Sequence, residues 1–400
     1  MAIAAAAGPI CELAWVIDSS VPETASMARL LRRLGSVVDV AGLSLDDAAA
    51  SIAVHQPDGI LALADSLLEW TAAVALRLGL AFIAPDAAAA LTDKYAQREA
   101  LCAAGIAVPG FWPLPALSDV EAWAGVERGA RFPAVLKPRR GEGSRDVVPV
   151  QSLEQVRGIL EQRVELSAAA DGGFILEEYL RDRVDWRQAD FAGYVSVESI
   201  VAAGRISHLA ITGRFPPAEP FRETGFFIPS ALEAPDQRAV MELASAAIAA
   251  LGVSVGCLHT EIKLTPDGPR VIELNGRIGG GVPEMLLDAA SVDLLEIALR
   301  LALSEEIAFD AMPVCSKVGY LLYVQAPPAM RQVTSVIGLD ALRADKAVEE
   351  IILRRGPGQS VDWREGNHGH VFSVSGAVGA HAQLKRIQES VYAEVQILGG

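Results

Sequence analysis

Apolar runs of strand length alternate with helically spaced apolar positions through residues 1–90. Residues 12–17 (ELAWVI) read as a buried strand, and the helical spacing of Met27, Leu30, Leu31 and Leu34 follows the turn Asp18-Ser19-Ser20. Val37–Val40 predicts a second strand, Asp46–Val54 a helix and Gly59–Leu63 a third strand. A helix over Leu67–Leu78 and a strand at Ala81–Ile83 complete the series. Strands alternating with helices indicate a small parallel-sheet domain of the α/β class, ending near residue 90. Thr92 reads as the N-cap of a helix that stops at Gly105, with Asp93, Lys94 and Arg98 on its first turns.

Further along, residues 132–150 (FPAVLKPRRGEGSRDVVPV) read as strand, loop, strand. Lys137 ends the first strand and the loop carries Gly141, Gly143 and Ser144. Free N–H groups in such a loop can cradle phosphates, and a strand-borne Lys adds a point charge. The bland alternative is a hairpin loop with surface basic residues. A helix near Leu153–Arg163 leads to the strand FILEE, where Glu177 and Glu178 are followed by Tyr179 and Leu180. Residues 193–215 read as a strand pair turning at Ala203-Gly204, and a helix spans Asp236–Leu251.

The most informative stretch is Cys257–Gly281, two strands joined by the turn Pro266-Asp267-Gly268. Alternation puts His259, Glu261 and Lys263 on one face of the first strand, and Glu273, Asn275 and Arg277 on one face of the second. If the faces coincide, two carboxylates, an amide oxygen and a guanidinium meet. Hard oxygen ligands of that number suit Mg²⁺, with Mn²⁺ as a substitute, completed by substrate phosphates. An Arg just beyond them can meet a phosphoryl group bidentately. An amphipathic hairpin with a solvated acidic face is the alternative, but three glycines at 279–281 cost entropy without a backbone reason.

Glu261, then Glu273-Leu-Asn275-Gly-Arg277 with its glycines, resembles the metal-binding end of the ATP-grasp ligases. Other parts resemble the same family in order. Lys94 matches a nucleotide-contacting Lys, and Lys137 with Gly141, Gly143 and Ser144 matches the phosphate loop. Glu177 falls where the adenine amine is held, with the backbone around Glu178, Tyr179 and Leu180 on the ring edge. Two departures stand out: Asp146 replaces a usual Gly, and Tyr194 replaces a Glu that grips the ribose, for which Asp182 or Asp185 could stand in. The run Glu223-Thr-Gly-Phe226 resembles a substrate loop of the amino acid ligase branch, with Phe226 in place of His.

The resemblance implies an α/β protein, α+β in its nucleotide-binding part, with three domains. Residues 1–90 are the small N-terminal domain, 91–305 the ATP-grasp domain with a mobile lid at about 130–180, and 306–400 an α+β C-terminal domain. It implies a carboxylate–amine ligase, most like the L-amino acid (dipeptide) ligases. Such an enzyme uses ATP and Mg²⁺ to form an acyl phosphate that an amine opens. Arg277 and Glu273 carry the catalysis, Glu261, Glu273 and Asn275 the metal, and Glu223, Phe226, Gly280 and Gly281 the acid substrate. A carboxylating relative of biotin carboxylase, a kinase that stops at phosphoryl transfer, and a decayed nucleotide-binding module are the alternatives. No biotin-acceptor segment supports the first, and the intact Glu273/Asn275/Arg277 set opposes the last.

Composition narrows the remainder. A net charge of −16 without a basic run opposes nucleic-acid binding. No apolar run approaches the roughly 20 residues of a membrane span, and MAIAAAAGPI lacks a signal's basic start. Four scattered cysteines indicate neither a disulfide framework nor zinc. The expectation is a cytoplasmic enzyme of small-molecule acid and amine substrates, compatible with a homodimer. The first strand–helix turn has no GxGxxG, and Walker A and GxSxG patterns are absent. After residue 306, strands are expected at Lys317–Val324, Val348–Leu353 and Val371–Val378, then a final helix to about Glu394. Between them RRGPGQSVDWREGNHGHV reads as a solvated loop, although His368 and His370 could suggest a metal.

Overall fold

The computed structural model describes residues 2–162, 173–183 and 190–400. The first strands, β1 (Ala14–Ile17) and β2 (Ser36–Asp39), pair in parallel. The runs at 59–63 and 81–83 join no sheet, a correction to the four strands expected there. Packing explains the difference. Ile60 joins the small core of Val38, Ile52 and Val74, while Leu61 turns to the cluster around Leu294 and Ile297. Ile83 is buried against Leu68, Leu91 and Leu258. These residues serve as wedges between cores, so burial rather than sheet pairing satisfies their apolar side chains.

A four-stranded antiparallel sheet follows in the order β3 (Phe111–Pro113), β6 (Phe174–Glu178), β4 (Ala134–Pro138), β5 (Val148–Val150). Helices Val120–Gly129 and Leu153–Gln162 cover it through Trp123, Val126, Val156 and Leu160.

The centre is an eight-stranded antiparallel sheet. Its strands are β7 (Tyr194–Ala202), β8 (Arg205–Arg214), β9 (Gly225–Ile228), β10 (Gly256–Thr265), β11 (Gly268–Asn275), β12 (Val318–Gln325), β14 (Glu350–Leu353) and β15 (His370–Val378). The order is β11-β10-β7-β8-β9-β12-β15-β14, so β9 pairing with β12 carries the sheet into the C-terminal residues. A small sheet of β13 (Val333–Ile337) and β16 (Gln396–Gly399), which periodicity did not suggest, ties the chain's end back.

Side-chain parity on the central sheet decides where chemistry can occur. Val195, Val197, Ile211, Ile262 and Leu264 pack under the helix Ala234–Ala250 through Val240 and Ala244. On the opposite face, Ile200, Ala202 and Cys257 pack under helices Val282–Ala290 and Leu294–Ala302. That cover stops short of the strand ends bearing Ser196, Glu198, Arg214, His259 and Glu261, where the same face is polar. No described helix is long and apolar enough to cross a membrane.

Candidate active site

A cavity of about 780 Å³ opens over the polar end of that face, with the four-stranded sheet opposite. Its lining includes Lys94, Lys137, Gly141, Gly143, Ser144, Glu177, Glu178, Tyr179 and Leu180. It also includes Glu223, Phe226, Glu261, Glu273, Asn275, Arg277 and Gly280. Residues hundreds of positions apart thus share one space.

The hairpin register sets Glu261 directly opposite Glu273, and His259 opposite Asn275. The facing strand then slips by one residue at Ile272, so Lys263 pairs with Arg270, while β10 runs unbroken against β7 and Lys263 lines the cavity with His259 and Glu261. Lys263 bonds Asp182 at 2.6 Å.

The helix after residue 92 begins one residue later than expected. Asp93, not Thr92, caps it by accepting from the N–H groups of Tyr95 and Ala96, while Thr92 ends the preceding helix Pro85–Thr92. Asp93 also takes Arg139 Nε at 3.0 Å, pinning the strand before the glycine loop to the helix start. Lys94 is consequently the first helical residue, and its Nζ lies 2.8 Å from Glu273 Oε1 and 2.9 Å from Gly141 O.

Glu177 is almost wholly buried between two cations: Arg98 Nε at 2.9 Å and Lys137 Nζ at 2.7 Å. Burial would raise its carboxyl, but the charges of Arg98 and Lys137 outweigh it and hold the group at about 2. Both oxygens are therefore engaged, which suits positioning of Lys137 better than holding an adenine amine. Arg98, read from sequence only as a charge on the first turns, is fully buried and also donates to Ile272 O.

Arg277 points to the N-terminal segment, with Nε 2.6 Å from Asp65 Oδ2 and Nη1 3.1 Å from Ile278 O. Of the three glycines, Gly280 lines the cavity. Gly281 does not: it has φ +72° as N-cap of the next helix, and a Cβ there would come within 2.3 Å of Leu321 Cδ2. Its place behind the wall comes from local packing, and a bulky residue there would disturb the fold before any ligand.

Deeper in, His259 Nδ1 bonds Glu198 Oε2 at 2.8 Å. Burial lowers the imidazole pKa, yet the Glu198 charge and hydrogen bond carry it up to about 9. Glu198 also accepts from Ser196 Oγ and Thr212 Oγ1, both at 2.7 Å. Arg214 lies over the Phe226 ring at 4.3 Å. Tyr194 lines the cavity, its phenol pushed well above the ordinary value by burial. Asp182 lines it too but is bonded to Lys263, and Asp185 lies outside the described residues. Asp146 adopts φ +57°, supplying the left-handed turn that a glycine ordinarily provides.

The segment 362–370 corrects the reading of a solvated loop. Asn367, His368 and His370 line the cavity, and His370 is buried and stacked on Tyr323 with centroids 4.4 Å apart. Asn367 N donates to Gly143 O at 2.8 Å, and a Cβ on Gly143 would lie 2.9 Å from His368 Nε2. Asn367 also receives Glu223 N on its Oδ1 at 2.8 Å and donates its amide to the Glu223 carboxylate. The sequence signal was the concentration of polar residues and glycines at 365–370, without any indication of what they touch.

Comparison with known proteins accords with this geometry. Residues 130–284 match the ATP-grasp domain model. Alanine–anticapsin ligase of Bacillus subtilis is 31% identical over 215 residues, covering 51% of this chain and 45% of that protein. Carnosine synthase 1 of Mus musculus is 29% identical over 282 residues, covering 66% and 33% respectively. The chain thus spans less than half the length of these curated relatives. The crystal structure of an L-amino acid ligase from Bacillus licheniformis superposes over 100% of this chain and 95% of that one, with TM-score 0.79 at 18% identity. The domain match lies across the glycine loop and the acidic hairpin and the L-amino acid ligase fold runs the length of the chain, so residues 130–284 form an ATP-grasp domain within a chain that resembles the amino acid ligases.

Proposed function

We propose that the protein is an ATP-dependent carboxylate–amine ligase acting on small molecules in the cytoplasm, with an amino acid as the acid substrate. The observation that carries this reading is the opposition of Glu261 and Glu273 across one hairpin, in the same cavity as Lys137 and the glycine loop. Names of the relatives, alanine–anticapsin ligase and carnosine synthase, support amide formation.

Lys137, held by Glu177, and the N–H groups of 141–144 would bind the phosphates, with the backbone of 178–180 along the adenine. The segment about 130–180 acts in this reading as a lid, and 91–305 as the nucleotide-binding unit. A divalent cation fits the donor set. Glu261 and Glu273 offer hard oxygens beside Asn275, and the Lys94 ammonium now supplies the positive charge at Glu273. Among the described residues no group of three or more His, Cys, Asp or Glu forms a closed cage. An open set of this kind suits Mg²⁺, which keeps waters and takes phosphate oxygens. When bound, that ion would offset charge on the transferring phosphoryl group.

The acid's carboxylate oxygen would attack the γ-phosphorus as ADP departs, with Lys94 and Arg277 offsetting charge on the phosphoryl oxygens. The amine nitrogen would then attack the acyl carbon, expelling phosphate and losing a proton. No side-chain nucleophile is needed.

Glu273→Gln tests this reading. It should lower amino-acid-dependent phosphate release about 10³-fold, at the upper end for loss of one electrostatic group. Assays with pairs of amino acids, and mass spectrometry of the products, would identify the amide. Near-normal turnover by the variant would remove Glu273 from the chemistry.

A further inference from the structure

One cation in the cavity wall has a buried N–H group without an acceptor among the described residues. Arg214 ends β8 with only 2% of its side chain exposed, yet it lines the cavity. Its Nη2 lies 3.2 Å from Ser196 Oγ and 3.2 Å from His259 Nε2. Its Nε is buried without a hydrogen-bond partner among the described residues. Glu223 Oε1 stands 3.6 Å from Nε, and Glu261 Oε1 stands 3.7 Å from Nη2. Ordinary N–H···O bonds fall at roughly 2.7–3.2 Å, so these carboxylates balance charge without accepting bonds.

Neither carboxylate is free to close the gap. Glu223 is tied through its other oxygen to the Asn367 amide, and its backbone N–H donates to Asn367 Oδ1 at 2.8 Å. Glu261 faces His259 Nε2 at 3.5 Å on its own strand. Phe226 under the guanidinium, at 4.3 Å, prevents the Arg from sinking further. Buried N–H groups left unmade are costly and are ordinarily satisfied, so this wall is complete only when another acceptor lies against it. Arg277 has no comparable vacancy at Nε, which Asp65 occupies at 2.6 Å.

We infer that Arg214 takes the carboxylate of the acid substrate, presenting its fork between Glu223 and Glu261 while Phe226 and Tyr323 form the apolar side of the subsite. A planar guanidinium matches a carboxylate bidentately, and an ammonium cannot reproduce that geometry. Phe226 and Tyr323 meet edge to face at 5.4 Å, giving the substrate's side chain an aromatic surface. This assignment rests on the ligase reading. It makes Arg214 a specificity-determining residue for the acid, separate from the groups that hold ATP.

The experiment compares wild type, Arg214→Met and Arg214→Lys by calorimetry in MgADP. The probes are the proteinogenic L-amino acids, each beside its amide. Wild type should bind at least one acid in preference to its amide. Arg214→Met should bind MgADP as wild type does but lose about 30-fold or more in acid affinity, with the amide unchanged; losses of that order follow removal of one partner from a buried charge pair. Arg214→Lys should recover only part. Unchanged acid affinity in Arg214→Met, or equal loss for acid and amide, would overturn the assignment while leaving the ligase reading intact. If wild type binds MgADP but prefers no acid and releases no phosphate with any of them, the ligase reading fails first and takes this one with it. Should Arg214→Met not fold, Arg214→Lys decides, because full acid affinity with the fork removed is incompatible with bidentate capture.

Discussion

The two ends of the cavity handle buried charge in opposite ways. Near the glycine loop every principal cation is matched at hydrogen-bonding distance: Lys137 to Glu177 at 2.7 Å, Arg98 to Glu177 at 2.9 Å and Lys94 to Glu273 at 2.8 Å. Around Arg214 the corresponding separations are 3.6 and 3.7 Å, and one N–H has no acceptor among the described residues. The first end keeps its shape by internal pairing, so it can present preorganised groups to phosphates. The second leaves the pairing incomplete, and a ligand oxygen is the natural remainder. Rigid positioning and unmet hydrogen-bonding demand are thus divided between two parts of one pocket.

Breaking the paired end should have the largest effect on stability. Glu177→Gln leaves Arg98 and Lys137 buried around a neutral amide, and removal of one partner from such a set costs about 3–5 kcal/mol. Urea denaturation at neutral pH would measure it. Acid pH supplies a second test. Burial opposes the charged form of Glu177, but Arg98 and Lys137 hold the folded pKa at about 2, below the ordinary 4.5. That stabilisation is present above the unfolded value and is lost as pH falls from there through the folded one. The stability of Glu177→Gln should consequently decline less steeply in acid than that of wild type. Equal slopes would mean that the pairing contributes little.

A smaller but sharper effect is expected from Lys137→Ala. Roughly 10²-fold should be lost in kcat, or in kcat/KM for ATP, if the ammonium acts on the phosphates in the transition state. Acid binding in MgADP should change little, the reverse of the pattern expected for Arg214→Met. A Lys137→Ala enzyme with unaltered ATP kinetics would reduce this lysine to a structural partner of Glu177.

The acidic hairpin was legible in the sequence, because local rules produce it. Turn chemistry at 266–268 and strand parity suffice to bring Glu261 opposite Glu273. Parity also held at Lys263, which lines the cavity with His259 and Glu261, although the facing strand slips by one residue at Ile272. The other features depend on pairs far apart in the chain. Asp65 meets Arg277 across 212 positions, Arg98 meets Glu177 across 79, and Asn367 meets Glu223 across 144. Periodicity carries no information on such partners. It also cannot separate a strand from a wedge, and the run Gly59–Leu63 shows the consequence: its apolar side chains divide between two cores and no strand forms.

The smallest effect is expected where the two ends communicate. Asn367 touches both, through its backbone N–H on Gly143 O at 2.8 Å and its side chain on Glu223. Asn367→Ala keeps the backbone bond, so the glycine loop should hold its place and the KM for ATP should stay near that of wild type. The substitution removes both side-chain bonds to Glu223, which is then free to approach Arg214 and complete the contact now left at 3.6 Å. A closed Arg214–Glu223 pair would compete with the incoming carboxylate. One neutral-to-charged hydrogen bond is worth about 1.5–3 kcal/mol at most, and water entering the cavity will replace part of it. The expected outcome is a rise of about 5–10-fold in KM for the acid with kcat little changed, because the lost contact is made equally before and during the transition state. Steady-state kinetics with saturating ATP and varied acid would measure it. A fall in kcat with constant KM would instead assign Asn367 to the chemical step, and an effect on ATP alone would show that its side chain serves the glycine loop.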